Sequence, residues 1–380
     1  MAGSNERTGV LGHRALHIPR AGRAARRAVT RARRGGRSAL LVGRYRQRAG
    51  ALRARRGAAM SAALRLGRGG EFDRLRRIFA RLGRTGQSLG DDCALIRVGR
   101  TWLAVSIDLS LEDVHFRTAW LSFADIGWRS VAAALSDLAA DGAEPIGVVV
   151  SLGVPGKGRG RGKGEGDPAA EIMAGVGAAA RRVGAHVLGG DLVRSDRYLV
   201  DVCVLGWTVR PVRRHGARPG DGVWVTGALG GAQLALQALA AGRRPPPGLF
   251  RRFARPVPRI AAGRRLAALG ARAMIDVSDG LAADAGHLAA ASGIRVEIAV
   301  EQVPRFRSVP GHVAVASGEE FELLVALPPR FTDRDARSFR VATRVPLTRI
   351  GRCVRGSGVR LTDHGRAIAA PKGFDHFPAG

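Results

Sequence analysis

The chain has 380 residues, 46% of them hydrophobic, which suffices for two or three domains with their own cores and excludes fibrous, collagenous and wholly disordered readings. Cys93, Cys203 and Cys353 are scattered and form no CxxC pair, so neither a disulfide framework nor a cysteine-based zinc site is available, and a reducing compartment suits them. The formal charge of +31 is unevenly spread: residues 1–68 hold eighteen Arg against the single acidic residue Glu6, a net +17.

Residues 1–68 are rich in Ala, Gly and Arg, poor in aromatics and without sustained periodicity, the composition of a segment whose burial cannot offset its ordering entropy. A basic disordered extension is expected there. Three uses compete for it: a leader ahead of a working chain that starts near Met60, an arm that binds anions or nucleic acid, and a targeting peptide. A secretory signal is excluded, because no short apolar core with a cleavage site follows the first charges.

From Glu71 the texture changes. Phe72, Leu75, Ile78, Phe79 and Leu82 recur at helical spacing and predict an amphipathic helix over 71–83, stopped at Gly83. A loop around Gly90-Asp91-Asp92 precedes a strand at 102–108. The apolar stretch 123–140 predicts a helix that turns Trp128, Val131, Leu135 and Leu138 inward. Asp137, Asp141 and Glu144 divide this richest stretch short of the roughly 18 residues a membrane helix needs, so a soluble protein is expected. A strand at 146–152 leads into the loop 156–166, where Gly alternates with Lys, Arg or Glu. A helix over 168–183 and strands at 185–189 and 198–209 complete a first α/β unit.

Residues 210–220 combine Pro, Gly and charge as an interdomain connection does. A second unit follows: a strand at 222–226, a helix over 230–241, a Pro-rich turn at 245–247, a helix over 258–269, a strand at 272–276, a helix over 280–291, and strands at 294–299 and near 321–327 and 348–354. The expected organisation is an extension over 1–68, an N-terminal domain over 69–212 and a C-terminal α/β domain over 213–380.

Acidic residues are half as numerous as basic ones, so their placement is informative. Five motifs put Asp beside small residues at the ends of apolar runs: Gly90-Asp91-Asp92, Ser106-Ile107-Asp108, Ser136-Asp137, Gly189-Gly190-Asp191 and Asp276-Val277-Ser278-Asp279-Gly280. On a strand, Ser106 and Asp108 emerge on one face, as do Asp276 and Ser278. If several of these aspartates converged, each close pair would repel by roughly 4 kcal/mol at 4 Å and an effective dielectric near 20, so convergence demands a metal. Oxygen ligands without His or Cys select Mg²⁺, several carboxylates imply several ions, and several ions imply a polyphosphate; phosphoryl transfer fits best. Singly, each motif also reads as turn or capping chemistry, with Asp279 a candidate N-cap for the helix that follows. The run 156–164 lacks the Ser or Thr after Gly-Lys that a P-loop requires, and no GxGxxG, protein-kinase catalytic loop or GxSxG elbow occurs.

In order and spacing these motifs resemble the thiamine-monophosphate kinase family, within the aminoimidazole-ribonucleotide synthetase-like superfamily. The resemblance runs from about Gly70 to Phe377. It is carried by Gly-Asp-Asp-Cys-Ala-Leu at 90–95, Ser-Ile-Asp at 106–108, Glu-Asp-Val-His-Phe at 112–116, Leu-Ser-Asp-Leu-Ala-Ala at 135–140, Gly-Gly-Asp at 189–191, Ile-Asp-Val-Ser-Asp-Gly-Leu at 275–281, Gly-Glu-Glu-Phe-Glu-Leu at 318–323 and Lys-Gly-Phe-Asp-His-Phe at 372–377.

The resemblance implies two mixed α/β domains, the first dimerising through its sheet, and an enzyme that moves the γ-phosphate of ATP onto thiamine monophosphate with several Mg²⁺ ions. It implies Asp92, Ser106, Asp108, Asp137, Asp191, Asp276 and Asp279 as metal ligands, Gly190, Asp191, Arg214 and Ser278 as ATP contacts, and His115, Glu319 and Phe374 as contacts to thiamine monophosphate. A cytoplasmic homodimer without membrane association follows, with nucleic acid touched at most non-specifically through residues 1–68.

Glycines 189 and 190 would admit a phosphate close to the backbone, and the start of the helix after Gly280 would point amides at anions. Ile107 stands where the family commonly has Thr, leaving only its carbonyl for a metal. Asp141 stands at a usually apolar position, four residues beyond Asp137, which it would repel by a few tenths of a kcal/mol unless a cation intervenes; an incidental solvent role is expected for it. Two rivals remain: another superfamily member with a different substrate, such as aminoimidazole-ribonucleotide synthetase, selenophosphate synthetase or the hydrogenase maturation dehydratase, and a basic nucleic-acid-binding protein on an inactive scaffold.

Overall fold

Hydrophobic alternation and helical periodicity resolve into two sheets with their covering helices in a computed structural model of the chain, which describes residues 65–67, 69–86, 89–156, 166–371 and 373–377. The expected disordered extension except residues 65–67, its three candidate uses and most of the basic loop 156–166 lie outside the described residues. All described residues belong to one unit running from Ser61 to Gly380.

The first sheet has five strands in the order β1-β2-β5-β3-β4: β1 (Ala94–Val98), β2 (Thr101–Leu111), β3 (Glu144–Pro155), β4 (His186–Ser195) and β5 (Leu199–Thr208). Neighbours are antiparallel except β3 and β4, which run parallel because helix α3 (Pro168–Arg182) crosses between them. Helix α2 (Phe123–Ala140) opens on Ser122, whose Oγ accepts from the Asp125 N–H, and buries Val131, Leu135 and Leu138 completely against this sheet. Each of those side chains gains about 1.5–3 kcal/mol from burial. Helix α1 (Gly70–Leu82) ends at Gly83 as the sequence predicts, yet none of its residues is buried and Ile78 and Leu82 are about half exposed.

The second sheet has seven strands in the order β12-β11-β8-β10-β6-β9-β7: β6 (Gly222–Thr226), β7 (Ala273–Asp276), β8 (Arg295–Ala299), β9 (Leu323–Leu327), β10 (Leu347–Val354), β11 (Gly358–Asp363) and β12 (Arg366–Ile368). Helices α4 (Gly231–Ala240), α5 (Pro247–Ala254), α6 (Ile260–Ala268), α7 (Leu281–Ser292), α8 (Gly311–Ala316) and α9 (Asp333–Thr343) complete it. Alternate residues of β9 enter two different cores: Leu323, Val325 and Leu327 join the core that extends over α2 and the first sheet, whereas Leu324 and Ala326 join one built with α7 and α8. The two halves therefore share apolar packing. They pack closely at Gly263 of α6, where a Cβ would lie 1.9 Å from the Ala139 carbonyl oxygen of α2.

Candidate active site

The carboxylates that the sequence scatters meet where α2, the loop before β1 and the end of β7 converge. Asp92, Asp137 and Asp276 each offer an oxygen within 4.8 Å of the others; Asp92 and Asp276 are buried and Asp137 is half-buried. At that separation two bare charges repel by about 3.5 kcal/mol at an effective dielectric near 20. Burial, then Asp92, pushes Asp276 up to about 7; burial, then Asp276, Asp92 and Asp108, holds Asp137 well above the usual carboxylate range.

Two groups fix this cluster. Ser106 Oγ donates to Asp137 Oδ2 at 2.5 Å, so β2 delivers Ser106 to the face of the sheet that α2 covers, as the strand alternation predicts. Arg214, from the connection between the halves, donates from Nη2 to Asp92 Oδ1 at 2.8 Å and from its backbone N–H to Asp91 Oδ1 at 2.9 Å. Asp92 Oδ2 is buried without a hydrogen-bond partner. Three convergent carboxylates with one such oxygen fit a hard divalent cation.

Asp108 follows Ser106 on the same face and leads away from the cluster. Burial, with Glu319 and Asp201 beside it, raises its carboxyl to about 6. Glu319 reaches Arg129 of α2, whose Nη2 pairs with Glu319 Oε1 while Nη1 donates to the Phe253 carbonyl. Arg129 is 4% exposed and its guanidinium lies over the Phe253 ring, 4.3 Å from the centroid. Sequence reading missed Arg129; the available signal was the single basic residue of α2, set among mostly apolar neighbours.

The loop after β7 carries the remaining residues. Ser278 O accepts from Glu319 N at 2.7 Å and Asp279 O accepts from Phe374 N at 3.1 Å, so Ser278, Asp279, Glu319 and Phe374 are stitched together by backbone. Glu319 and Phe321 adopt φ of 56° and 51°, a left-handed conformation costing about 1–3 kcal/mol each that the hydrogen bonds to Val277 and Ser278 sustain. β7 stops at Asp276, so this loop, and not strand alternation, places Ser278. Asp279 is raised to about 6, by burial first and then Glu71, and its side chain makes no capping hydrogen bond: α7 starts from Gly280, whose N–H donates to Asp284 Oδ2. Asp279, Asp284 and His287 form a further group with ligand atoms within 4.8 Å.

His115 Nδ1 accepts from Leu111 N at 3.1 Å, and its ring lies 5.1 Å from that of His376, which stands edge-on to Phe374 at 4.8 Å. Burial and His376 hold His115 below the usual imidazole range. Asp375 anchors this last segment to α1, accepting from Gly70 N at 2.6 Å and Glu71 N at 3.1 Å.

Four further residues of the sequence reading have the following places. Asp191 is exposed on the edge strand β4, accepts from its neighbour Leu192 N–H, and is not gathered with Asp92, Asp137 and Asp276. A Cβ at Gly190 would sit 1.8 Å from Val150 O, so packing against β3 already demands glycine there. Asp141 has no solvent role: it is fully buried, because the C-terminus of α2 lies under Cys93 and Asp91. Ile107 points its side chain to the open face of the sheet, 66% exposed.

The family described as AIR synthase related protein, N-terminal domain, matches residues 90–208, and its C-terminal domain counterpart matches residues 218–364. The thiamine-monophosphate kinase of Mycobacterium tuberculosis (strain CDC 1551 / Oshkosh) is 37% identical over 215 residues, 55% of this chain, a match that spans 62% of that relative's length. The thiamine-monophosphate kinase of Bacillus subtilis (strain 168) is 30% identical over 310 residues, 76% of this chain and 93% of that protein. The chain belongs to the thiamine-monophosphate kinase family. A solved structure of one family member, AaThiL complexed with AMPPCP and TMP, superposes with a TM-score of 0.70 at 30% identity and covers 81% of this chain and 97% of that one. Among the described residues no helix is long and apolar enough to cross a membrane.

Proposed function

We propose that the chain transfers the γ-phosphoryl group of ATP in line to the phosphate of thiamine monophosphate, giving thiamine diphosphate and ADP. The observation that carries the reading is the meeting of Asp92, Asp137 and Asp276, drawn from both halves of the molecule, with an unpartnered buried oxygen among them. Asp92, Ser106, Asp108, Asp137, Asp276 and Asp279 would hold Mg²⁺ beside the triphosphate. When bound, such ions neutralise phosphate charge and orient the β- and γ-phosphates for displacement.

Arg214 keeps Asp92 oriented and presents its guanidinium to phosphate, and Ser278 is the further contact to ATP. On the other side of Asp108, His115, Glu319 and Phe374 receive thiamine monophosphate, with Phe374 available for ring stacking. Arg129 positions Glu319. An oxygen of the acceptor phosphate attacks the γ-phosphorus as the bond to the β,γ-bridging oxygen breaks, and that oxygen leaves on ADP.

The proposal includes a cytoplasmic homodimer. The exposed face of the first sheet, with Ile107, Leu109 and Trp207, supports pairing through that face, and Gly190 and Asp191 on the open β4 edge would meet ATP in an assembly that a second copy completes. The test is purified full-length protein given ATP, Mg²⁺ and thiamine monophosphate, with thiamine diphosphate followed by chromatography. Consumption of ATP only with another phosphate acceptor would overturn the assignment.

A further inference from the structure

Asp141 is a departure from the family pattern for which the proposed reaction has no use. It caps the C-terminus of α2 and is 0% exposed. Its backbone is satisfied: the N–H donates to Asp137 O and the carbonyl accepts from Val212 N. Its side chain is not satisfied by nitrogen or oxygen: neither carboxylate oxygen accepts from such a donor, and the weak Cys93 thiol is the donor that reaches it. Asp91, Asp92 and Asp141 each offer an oxygen within 4.8 Å of the others. Arg214 engages one oxygen of Asp91 and one of Asp92, and Arg213 Nε stands 3.9 Å from Asp91 Oδ2. No cation in the described residues reaches Asp141 by an ion pair. The helix end adds to the negative field there, since the last carbonyls of α2 point at the same place.

We propose that Asp91, Asp92 and Asp141 form a second divalent-cation site beside the Asp92–Asp137–Asp276 group, with Asp92 shared between the two. The all-oxygen donor set selects a hard ion such as Mg²⁺ or Mn²⁺. This site stands on carboxylate geometry and is independent of the acceptor used.

Mn²⁺ titration of the nucleotide-free full-length protein, followed by the electron paramagnetic resonance of the free ion, tests it. Wild type is expected to hold one more Mn²⁺ per chain than Asp141→Leu; equal stoichiometry overturns the proposal. Because a buried substitution can unfold the chain, wild-type crystals soaked in Mn²⁺ supply a second reading. An anomalous peak bonded to an Asp141 oxygen supports the site, and peaks confined to Asp92, Asp137 and Asp276, or none, overturn it. Neither measurement reads thiamine diphosphate formation, so loss of this site leaves the proposed reaction standing, and loss of the reaction leaves this site standing.

Discussion

The two sheets are built from the same alternating pattern and end in opposite situations. Strands β6, β7 and β9 are buried along their whole length, because this chain supplies helices to both faces: Val223 and Val225 enter one core and Trp224 the other, and Met274 parts in the same way from Ala273 and Ile275. In the first sheet Ala104, Val148, Val150, Val202 and Val204 pack under α2 and α3, while Ile107, Leu109, Ile146 and Trp207 stay exposed on the opposite face. An apolar strand residue is thus not by itself a core residue; what covers its face decides. The carboxylate site forms where the covered side of the first sheet abuts the end of β7, so each half contributes and neither holds it alone.

The largest expected effect tests that sharing. Asp137→Asn from the first half and Asp276→Asn from the second should each lower kcat/KM by about 10²–10³-fold or more, because a lost metal charge weakens transition-state stabilisation by roughly 3–4 kcal/mol. Thermal melting without metal should be unchanged or raised in both variants. A large loss from one and none from the other would break the picture of a joint site.

A smaller effect separates the faces. Leu324→Ala, in the two-sided sheet, should cost about 2–5 kcal/mol in denaturant unfolding. Leu109→Arg, on the open face, should leave intrinsic stability within about 1 kcal/mol and instead shift sedimentation toward the monomer. Equal destabilisation by both, with no change in association, would sink the contrast.

The smallest effect is on pH dependence. Asp276 titrates near 7 and Asp91, Asp108 and Asp279 near 6 in the folded chain, against 3.8 ordinarily. Between about pH 4 and 7 the folded state therefore binds more protons than the unfolded one, so stability falls as pH rises through that window. In chelator, the melting temperature should drop by a few degrees from pH 5 to 7.5, and Mg²⁺ should raise it more at 7.5 than at 5. A flat profile would mean that another group already neutralises the cluster.

Much of the fold was legible because its longest elements are strongly periodic. α2 occupies 123–140 and β6 occupies 222–226, the spans their apolar patterns predict. The sequence pattern assigns no element to β1, since a five-residue strand with mostly exposed residues carries little pattern. α9 was missed because only Ala336 and Phe339 are buried in it, although the reciprocal bonds of Thr332 and Asp335 form a capping box that the sequence does display. α5, α8, β11 and β12 escaped as well, short or mostly exposed elements with too few buried positions to establish a period. At the site, the Asp, Ser and Gly motifs were visible as residue types beside turns. Arg129 was not, because a buried Arg that anchors a distant Glu leaves no local signature beyond its charge.

The sequence by itself determined which acidic groups exist, that they flank strands and helices, and that their order is the family's. Only the tertiary structure decided that Asp92, Asp137 and Asp276 share one place, that Asp191 stands apart on an edge strand, and that Asp141 is buried. The physical reason is that repulsion between carboxylates depends on distance in space and on solvent access, neither of which is set until helices and sheets have packed.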